Sequence, residues 1–438
     1  MPLTSLTSPR SIQQSTSSTP RLARPPDPAR VQRIADDAAA LAAARTLASA
    51  VAAGAAVRDR ERALPWDELD QWSESGLGAI TVPREYGGAD VSYATLAEVF
   101  VTLCEADPAL GQIPQNHFGV LGLLREAGTP EQKARFYGEV LAGRRLGNAG
   151  PERRATPAGA VAAPTILHGT TRLQTTPDGL RLSGRRFYST GALFAHRIPT
   201  RATDDEGRAV QVWVPRDAPG VTVIDDWSAF GQRITASGTV EFDNVLIDAG
   251  DVVAVWPLAD RPGLYGPTSQ LIQAAIDQGI AQAAVADALS FVRERARPWI
   301  DSGLEHASDD PYIIADVGRL EIDLHAAHEV LMEAGRTLDD LAARQQARQQ
   351  QGPFDAEASA QASVAVAEAK VLTTRIALEA SEKLFELAGS AATRAAHNLD
   401  RHWRNARTHT LHDPVRWKLH LLGNYHLNHV LPARHAWN

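Results

Sequence analysis

Cysteine is almost missing from this chain. Cys104 is the only one in 438 residues, which excludes an intrachain disulfide and a cysteine-based metal knot and suits a reducing cytoplasm. Lysine is nearly as scarce: positions 133, 370, 383 and 418 hold all four, against 40 arginines. Together with the abundance of alanine, that bias matches a GC-rich bacterial genome. No apolar run approaches the ~18 residues needed to span a bilayer, so no membrane partner is expected. The formal net charge is -8 and no basic stripe occurs, which argues against a nucleic-acid partner held through phosphates. There is no Walker motif and no strand-linked GxGxxG; Gly76 and Gly78 are followed by Thr81 rather than glycine, so no recognised NAD(P)H fingerprint is present.

What is present divides by periodicity. Residues 1–28 are rich in Ser, Thr and Pro, with Arg10, Arg21 and Arg24 and no acid before Asp27. A transit peptide is one reading; a disordered tail is the preferred one, because Pro2, Pro9, Pro20, Pro25 and Pro26 interrupt any amphipathic helix. Residues 29–145 read as a helical domain, with Leu96, Val99 and Leu103 at helical spacing. Residues 146–255 read as a β domain, a small barrel or sandwich. There the alternating runs Arg172–Thr176 and Leu180–Ser183 flank Pro177-Asp178-Gly179, a hairpin signal, and short apolar runs follow at 209–214, 221–224 and 239–242. Residues 256–438 turn helical again from 266. Val317, Leu324, Met332 and Leu338, with Leu320, Ala327, Ala334 and Leu341, trace one apolar stripe and Val364, Val371, Leu378 and Phe385 another; long helices joined by short links pack as an antiparallel bundle. The Gln-rich stretch 344–356 with Gly352-Pro353 is the expected link between two of them.

Several segments resemble the acyl-CoA dehydrogenase superfamily. They are Gly76-Leu77-Gly78-Ala79-Ile80-Thr81-Val82-Pro83 with Tyr86-Gly87-Gly88, the stretch Gly231-Gln232-Arg233-Ile234-Thr235-Ala236-Ser237-Gly238-Thr239, and Arg293-Glu294-Arg295-Ala296-Arg297-Pro298. Each is weak alone; their order and spacing are specific. The resemblance implies an α+β fold with an N-terminal α-helical domain, a middle β-barrel domain and a C-terminal four-helix bundle, with a flavin between the last two. Near the C-terminus, Arg404-Asn405-Ala406-Arg407-Thr408-His409-Thr410-Leu411-His412-Asp413-Pro414 stands where true dehydrogenases carry a catalytic glutamate. This segment, with Phe187-Tyr188-Ser189-Thr190-Gly191-Ala192 and Gly147-Asn148-Ala149, is similar to the flavin monooxygenase branch, that of the dibenzothiophene monooxygenases and sulfur-acquisition oxidoreductases.

What the resemblance implies is a two-component monooxygenase. Reduced FMN, supplied by a separate flavin reductase, would react with O2 to form a hydroperoxide at ring carbon C4a and oxygenate a small organosulfur compound. Such a site must exclude water and manage protons. A histidine near its free pKa of ~6.5 suits both proton steps, and His412 is the first candidate; Asp413 would hold a nearby group by hydrogen bonding, pointing away from His412 because adjacent residues on a helix point apart. His409 precedes it by three residues and would share its face on a helix. Ser189, at a strand end, is either a turn serine or a donor to the flavin or the peroxide. Asn148 would read the flavin ring edge. Trp227 either fills core or packs on the ring system. His117 resembles a pocket histidine of the branch; one turn later Leu121 replaces an aromatic expected in the dibenzothiophene enzymes. Arg295 sits where the family has an arginine reaching flavin phosphates across a subunit interface, which with the heptad stripes implies a homotetramer. Three alternatives stay open. An FAD-dependent acyl-CoA dehydrogenase or oxidase would use Asp413 as base. A non-catalytic assembly protein would keep only the fold. A zinc site on His409, His412 and Asp413 would lack a supporting HExxH or cysteine set.

Overall fold

A computed structural model describes residues 21–152, 170–259, 261–348, 355–435 and 437–438. Most of the expected N-terminal tail, and Gly352-Pro353 of the expected link, lie outside the described residues.

The chain begins with seven helices: α1 (Asp37–Ala52), α2 (Ala55–Glu61), α3 (Trp66–Glu74), α4 (Tyr93–Ala106), α5 (Pro108–Gln112), α6 (Gln115–Ala127) and α7 (Pro130–Leu141). Local chemistry sets their ends. Asp36, Ser92 and Asp107 cap helix N-termini with side-chain oxygens, and Thr129 with Gln132 forms a reciprocal capping box at α7, each satisfying otherwise orphaned N–H groups.

Seven strands follow: β1 (Arg172–Thr176), β2 (Gly179–Arg186), β3 (Arg197–Thr203), β4 (Ala209–Pro215), β5 (Val221–Ile224), β6 (Thr239–Ile247) and β7 (Val252–Ala254). They form one mixed sheet in the order β5-β6-β2-β1-β3-β4-β7, antiparallel except where β1 meets β3. The expected hairpin is present: Thr176 pairs with Gly179, leaving Pro177-Asp178 as the turn. Strand β3 has no apolar alternation, because its polar groups are satisfied inside. Arg197 is buried and binds Glu139 at 2.7 Å and Asp251 at 3.1 Å.

Five helices close the chain: α8 (Tyr265–Glu294), α9 (Pro311–Arg348), α10 (Ala356–Ala388), α11 (Asp400–His409) and α12 (Arg416–Asn428). Helix α8 is buried on nearly all sides, the mark of a central helix rather than a surface one. It packs against α4, α9 and α10 in the largest hydrophobic cluster. Along α9, Leu320, Ala327, Leu331, Ala334, Leu338 and Leu341 are buried, close to the expected stripe. On α10 the stripe is displaced. Leu378 and Phe385 are only partly buried, while Ala362, Ala369, Ile376 and Leu384 form the deep face. Small residues there let α8 and α10 approach closely. The architecture is the α+β, acyl-CoA dehydrogenase-like one: helical domain, central mixed sheet, helical domain. No single helix among the described residues is long and apolar enough to cross a membrane.

Candidate active site

One loop gathers the site. Between β5 and β6, residues 231–238 run under α11, and Gly231 is required there: a Cβ would stand 1.9 Å from the Arg404 carbonyl oxygen. The loop is clamped from both ends. The Gln232 amide donates to Asn405 Oδ1 of α11 at 2.7 Å. Arg404 donates to the Phe230 carbonyl at 2.9 Å and pairs with Asp59. Gln232 and Ala236 take φ of 47° and 45°, and nearby Tyr188 takes 52°. Non-glycine residues in this region cost ~1–3 kcal/mol each and cluster at functional sites.

Ser189 lies on the other side of the loop, three residues beyond β2. Its amide donates to the Gly238 carbonyl at 3.1 Å. Its residue is 1% exposed, yet Oγ has no hydrogen-bond partner. The neighbouring hydroxyls are fully employed: Thr190, Ser237 and Thr235 form a chain with links of 2.7 and 2.8 Å. Asn148 is drawn alongside, its amide donating to the Thr190 carbonyl at 3.1 Å. Half-buried Trp227 donates from Nε1 to the Gln232 carbonyl at 2.8 Å, and exposed Tyr188 meets it edge-on, with ring centroids 6.1 Å apart.

His409 is the buried imidazole. Its side chain is 0% exposed, and Nδ1 donates to Asp277 Oδ1 at 2.5 Å. Asp277 is itself 0% exposed, and its other oxygen receives Lys370 Nζ at 2.8 Å and Thr374 Oγ1 at 2.9 Å. Burial would raise the Asp277 carboxyl, but the Lys370 ammonium and the His409 contacts outweigh it and hold the group below the usual carboxylate range. Burial lowers the His409 pKa; Lys370 and His412 act in the same direction, against Asp277. With Nδ1 carrying the hydrogen, Nε2 is an acceptor, and it has no partner.

Three expectations about proton-handling residues need correction. His409 and His412 do not share a helical face, because α11 ends at His409. His412 lies in the turn beyond, with its side chain 32% exposed. Asp413 does not point away from His412 either: without a helix there, His412 Nδ1 approaches Asp413 Oδ1 at 3.3 Å. Burial pushes the Asp413 carboxyl up, but His412, Lys370 and Lys418 together hold it low. His117 is no free base. Nε2 donates to the Gly78 carbonyl at 2.8 Å, and Nδ1 accepts from the Leu146 amide at 3.1 Å. Both nitrogens are thus committed to backbone, and burial lowers its pKa to about 4. It pins the segment that carries Asn148. Arg295 stands apart at the exposed end of α8, 3.2 Å from His397 Nδ1; within one chain it is not joined to the loop.

The sequence reading missed Asp277, Lys370, Asn405 and Gln232. Two of them carried a signal. Asp277 is a lone acid between apolar turns of α8, and Lys370, one of four lysines, sits in an Ala/Val run; isolated charges on apolar helices are buried only when paired.

A helical domain, a mixed sheet and a helical bundle, with a loop of strained residues between sheet and bundle, define a flavoenzyme of the acyl-CoA dehydrogenase type, and the chain belongs to the acyl-CoA dehydrogenase family. Residues 35–144 match that family's N-terminal domain and residues 271–417 its C-terminal domain. Among its relatives is the dibenzothiophene monooxygenase of Rhodococcus erythropolis, 32% identical over 414 residues, which span 91% of this chain and 96% of the relative. The FMN-bound crystal structure of TdsC from Paenibacillus sp. A11-2 superposes with a TM-score of 0.83 at 31% identity, covering 91% of this chain and 100% of that one. The methanesulfinate monooxygenase MsuC of Pseudomonas fluorescens gives a TM-score of 0.80 at 29% identity over 91% of this chain and 99% of that one.

Proposed function

We propose that this protein is the oxygenase of a two-component system, which takes reduced FMN from a separate flavin reductase and uses O2 to oxygenate a small organosulfur compound. The observation that carries this reading is a pair of buried, unpartnered polar atoms, Ser189 Oγ beside the strained loop and His409 Nε2 at the end of α11. Buried polar groups are ordinarily satisfied, so these two await a ligand with complementary atoms. A flavin ring, with its acceptor and donor edges, would complement each in hydrogen-bonding character. The names of the relatives agree: a dibenzothiophene monooxygenase, a methanesulfinate monooxygenase and an FMN-bound structure.

When bound, reduced FMN supplies the electrons that split dioxygen between substrate and water. The protein's share is placement, dryness and proton control. Ser189 Oγ would donate to the ring, Asn148 would meet its edge, and Trp227 with Tyr188 would cover it. His409 accepts a hydrogen bond at Nε2. His412, at the rim and in reach of solvent, exchanges protons with water, and Asp413 orients it. Arg295 reaches the flavin phosphate of a neighbouring subunit in a homotetramer, and the enzyme works in the bacterial cytoplasm. The acyl-CoA dehydrogenase alternative has less support: its base would be Asp413, whose oxygens are engaged by His412 and by Lys418 at 3.8 Å.

The test is a screen of organosulfur compounds with a general flavin reductase and NAD(P)H. Oxygenated product is expected only when reductase is present, with negligible NAD(P)H oxidation by the protein alone. Tight co-purifying FAD with acyl-CoA desaturation, or no flavin binding under any condition, would overturn the proposal.

A further inference from the structure

The Asp277–Lys370–Thr374 cluster lies wholly inside the bundle, and all its groups converge on one imidazole. Three helices build it: Asp277 comes from the middle of α8, Lys370 and Thr374 from α10, and His409 from the last residue of α11. A buried pair of this kind contributes little to stability compared with an apolar replacement, so its retention calls for another role.

We propose that Asp277 is a positioning residue for the flavin site, and that with Lys370 and Thr374 it holds His409 as the Nδ1–H tautomer, with the Nε2 lone pair open to a bound N–H or O–H donor. The inference rests on the reading above that the strained loop and α11 enclose the flavin.

Each contact has a distinct consequence. Oδ1 of Asp277 takes the Nδ1 hydrogen, which leaves Nε2 as the acceptor. Oδ2 is held by Lys370 and Thr374, so the carboxylate cannot rotate away or take up a proton. When Nε2 accepts a proton from a ligand, the imidazolium is stabilised by a carboxylate already in place, as in any His–Asp pair. Lys370 opposes that charge and keeps the ring neutral at rest. His409 lies four residues beyond Asn405 and so on the same face of α11; Asn405 in turn fixes Gln232 of the loop. The other charged or titratable groups near the ring are His412 and Asp413 in the turn after α11, Lys418 of α12, and Cys104 of α4 beside Asp277. His412 and Lys370 disfavour a charged His409, and Asp277 is the nearest group favouring it.

The experiment compares the full-length protein with Asp277→Asn and with Asp277→Asn/Lys370→Met. The double variant removes both charges together, so it stays folded if the single variant does not. Three quantities are read: the thermal midpoint, the FMN dissociation constant against pH by flavin fluorescence, and product formed per reduced FMN against pH. The double variant is expected to keep the parent midpoint or exceed it. In Asp277→Asn the acid limb in FMN binding should move at least one pH unit lower, because the ring loses the carboxylate that favours its charged form, and the double variant should recover part of that shift, because Lys370 no longer opposes the charge. Product per flavin at pH 8 should fall at least tenfold. Identical pH limbs in parent and Asp277→Asn, or a loss of binding that merely follows the thermal midpoint in both variants, would overturn the proposal. If no organosulfur compound is oxygenated by the parent, the functional reading fails, while the binding limb still decides the role of Asp277.

Discussion

His402 and His409, seven residues apart on α11, each donate to a different aspartate of α8: His402 Nε2 meets Asp287 Oδ2 at 2.7 Å, and His409 Nδ1 meets Asp277 Oδ1 at 2.5 Å. The two pairs lock the helices in one register. They differ in what surrounds them. The side chain of Asp287 is 37% exposed and also binds Arg401, whereas Asp277 is fully enclosed and depends on Lys370. The first pair serves as a clasp near the surface. The second is costly if broken and therefore diagnostic.

Lys370→Met should destabilise the protein by about 3–5 kcal/mol, the usual cost of stranding one partner of a buried ion pair. Adding Asp277→Asn to Lys370→Met should restore most of that loss. Chemical denaturation of the three proteins checks this. If Lys370→Met alone proves neutral, Lys370 and Asp277 are not an ionised pair in the folded state.

Stability should also fall with acid in a defined window. The folded pKa of His117 is lowered to about 4, and that of His196 likewise. An unfolded histidine titrates near ~6.5. Between these values the unfolded chain binds more protons, so stability is full above the unfolded value and is lost as pH falls toward about 4. For fully buried His117 the whole window corresponds to ~3 kcal/mol. Unfolding measured from pH 7.5 to 4 should show this slope, and His117→Gln should flatten it. An unchanged slope in the variant would place the titration elsewhere.

How much of this was legible beforehand follows from what each residue does. The hairpin at 172–186, the later strands and the long helices announce themselves because one face is apolar and the other is not. Strand β3 does not, because Arg197 is buried with its own counter-ions, and α8 does not, because it is buried all round and has no polar face. Ser189, Asn148 and Trp227 lie along one loop, and His409 lies at the end of the helix that clamps it. The surroundings of His117 and His412 were not legible for one reason: a sequence shows that an imidazole is present but not whether backbone groups already use both its nitrogens or whether the helix ends before it. Asp277 and Lys370 are 93 residues apart, and only packing of α8 on α10 reveals them as a unit.

Assembly is the next expectation. Exposed Tyr312, Ile314 and Ile322 on α9, and Trp417, Leu419 and Leu427 on α12, leave apolar side chains in water on two helices of the bundle. Faces of this kind mark interaction surfaces, and Arg295 at the end of α8 has no flavin to meet within its own chain. Sedimentation at micromolar concentration should give a homotetramer, and Tyr312→Glu/Ile322→Glu should shift it to smaller species with weaker FMN binding. A monomeric parent would remove both the assembly and the cross-subunit role of Arg295.

His412 tests the division of labour between rim and interior. Its imidazole is partly exposed and touches only Asp413, so its removal strands no buried partner except one already held by Lys418. His412→Ala should therefore leave the thermal midpoint within a degree or two. His409→Ala, by contrast, deprives Asp277 of a buried donor and should lower the midpoint clearly, since an unsatisfied buried acceptor costs ~1–3 kcal/mol. If His412 delivers protons between solvent and the flavin pocket, its loss should slow oxygenation by ~10²–10⁴-fold, the usual contribution of a general acid–base group, and divert reduced flavin to hydrogen peroxide. Small imidazole added to the buffer should recover part of the yield in His412→Ala, because the position is open to solvent, and none in His409→Ala, because that position is sealed. The two variants are compared by product formed per reduced FMN consumed, beside peroxide released and thermal midpoint. A normal product yield in His412→Ala, or a loss that only follows unfolding, would assign the proton step to His409 alone.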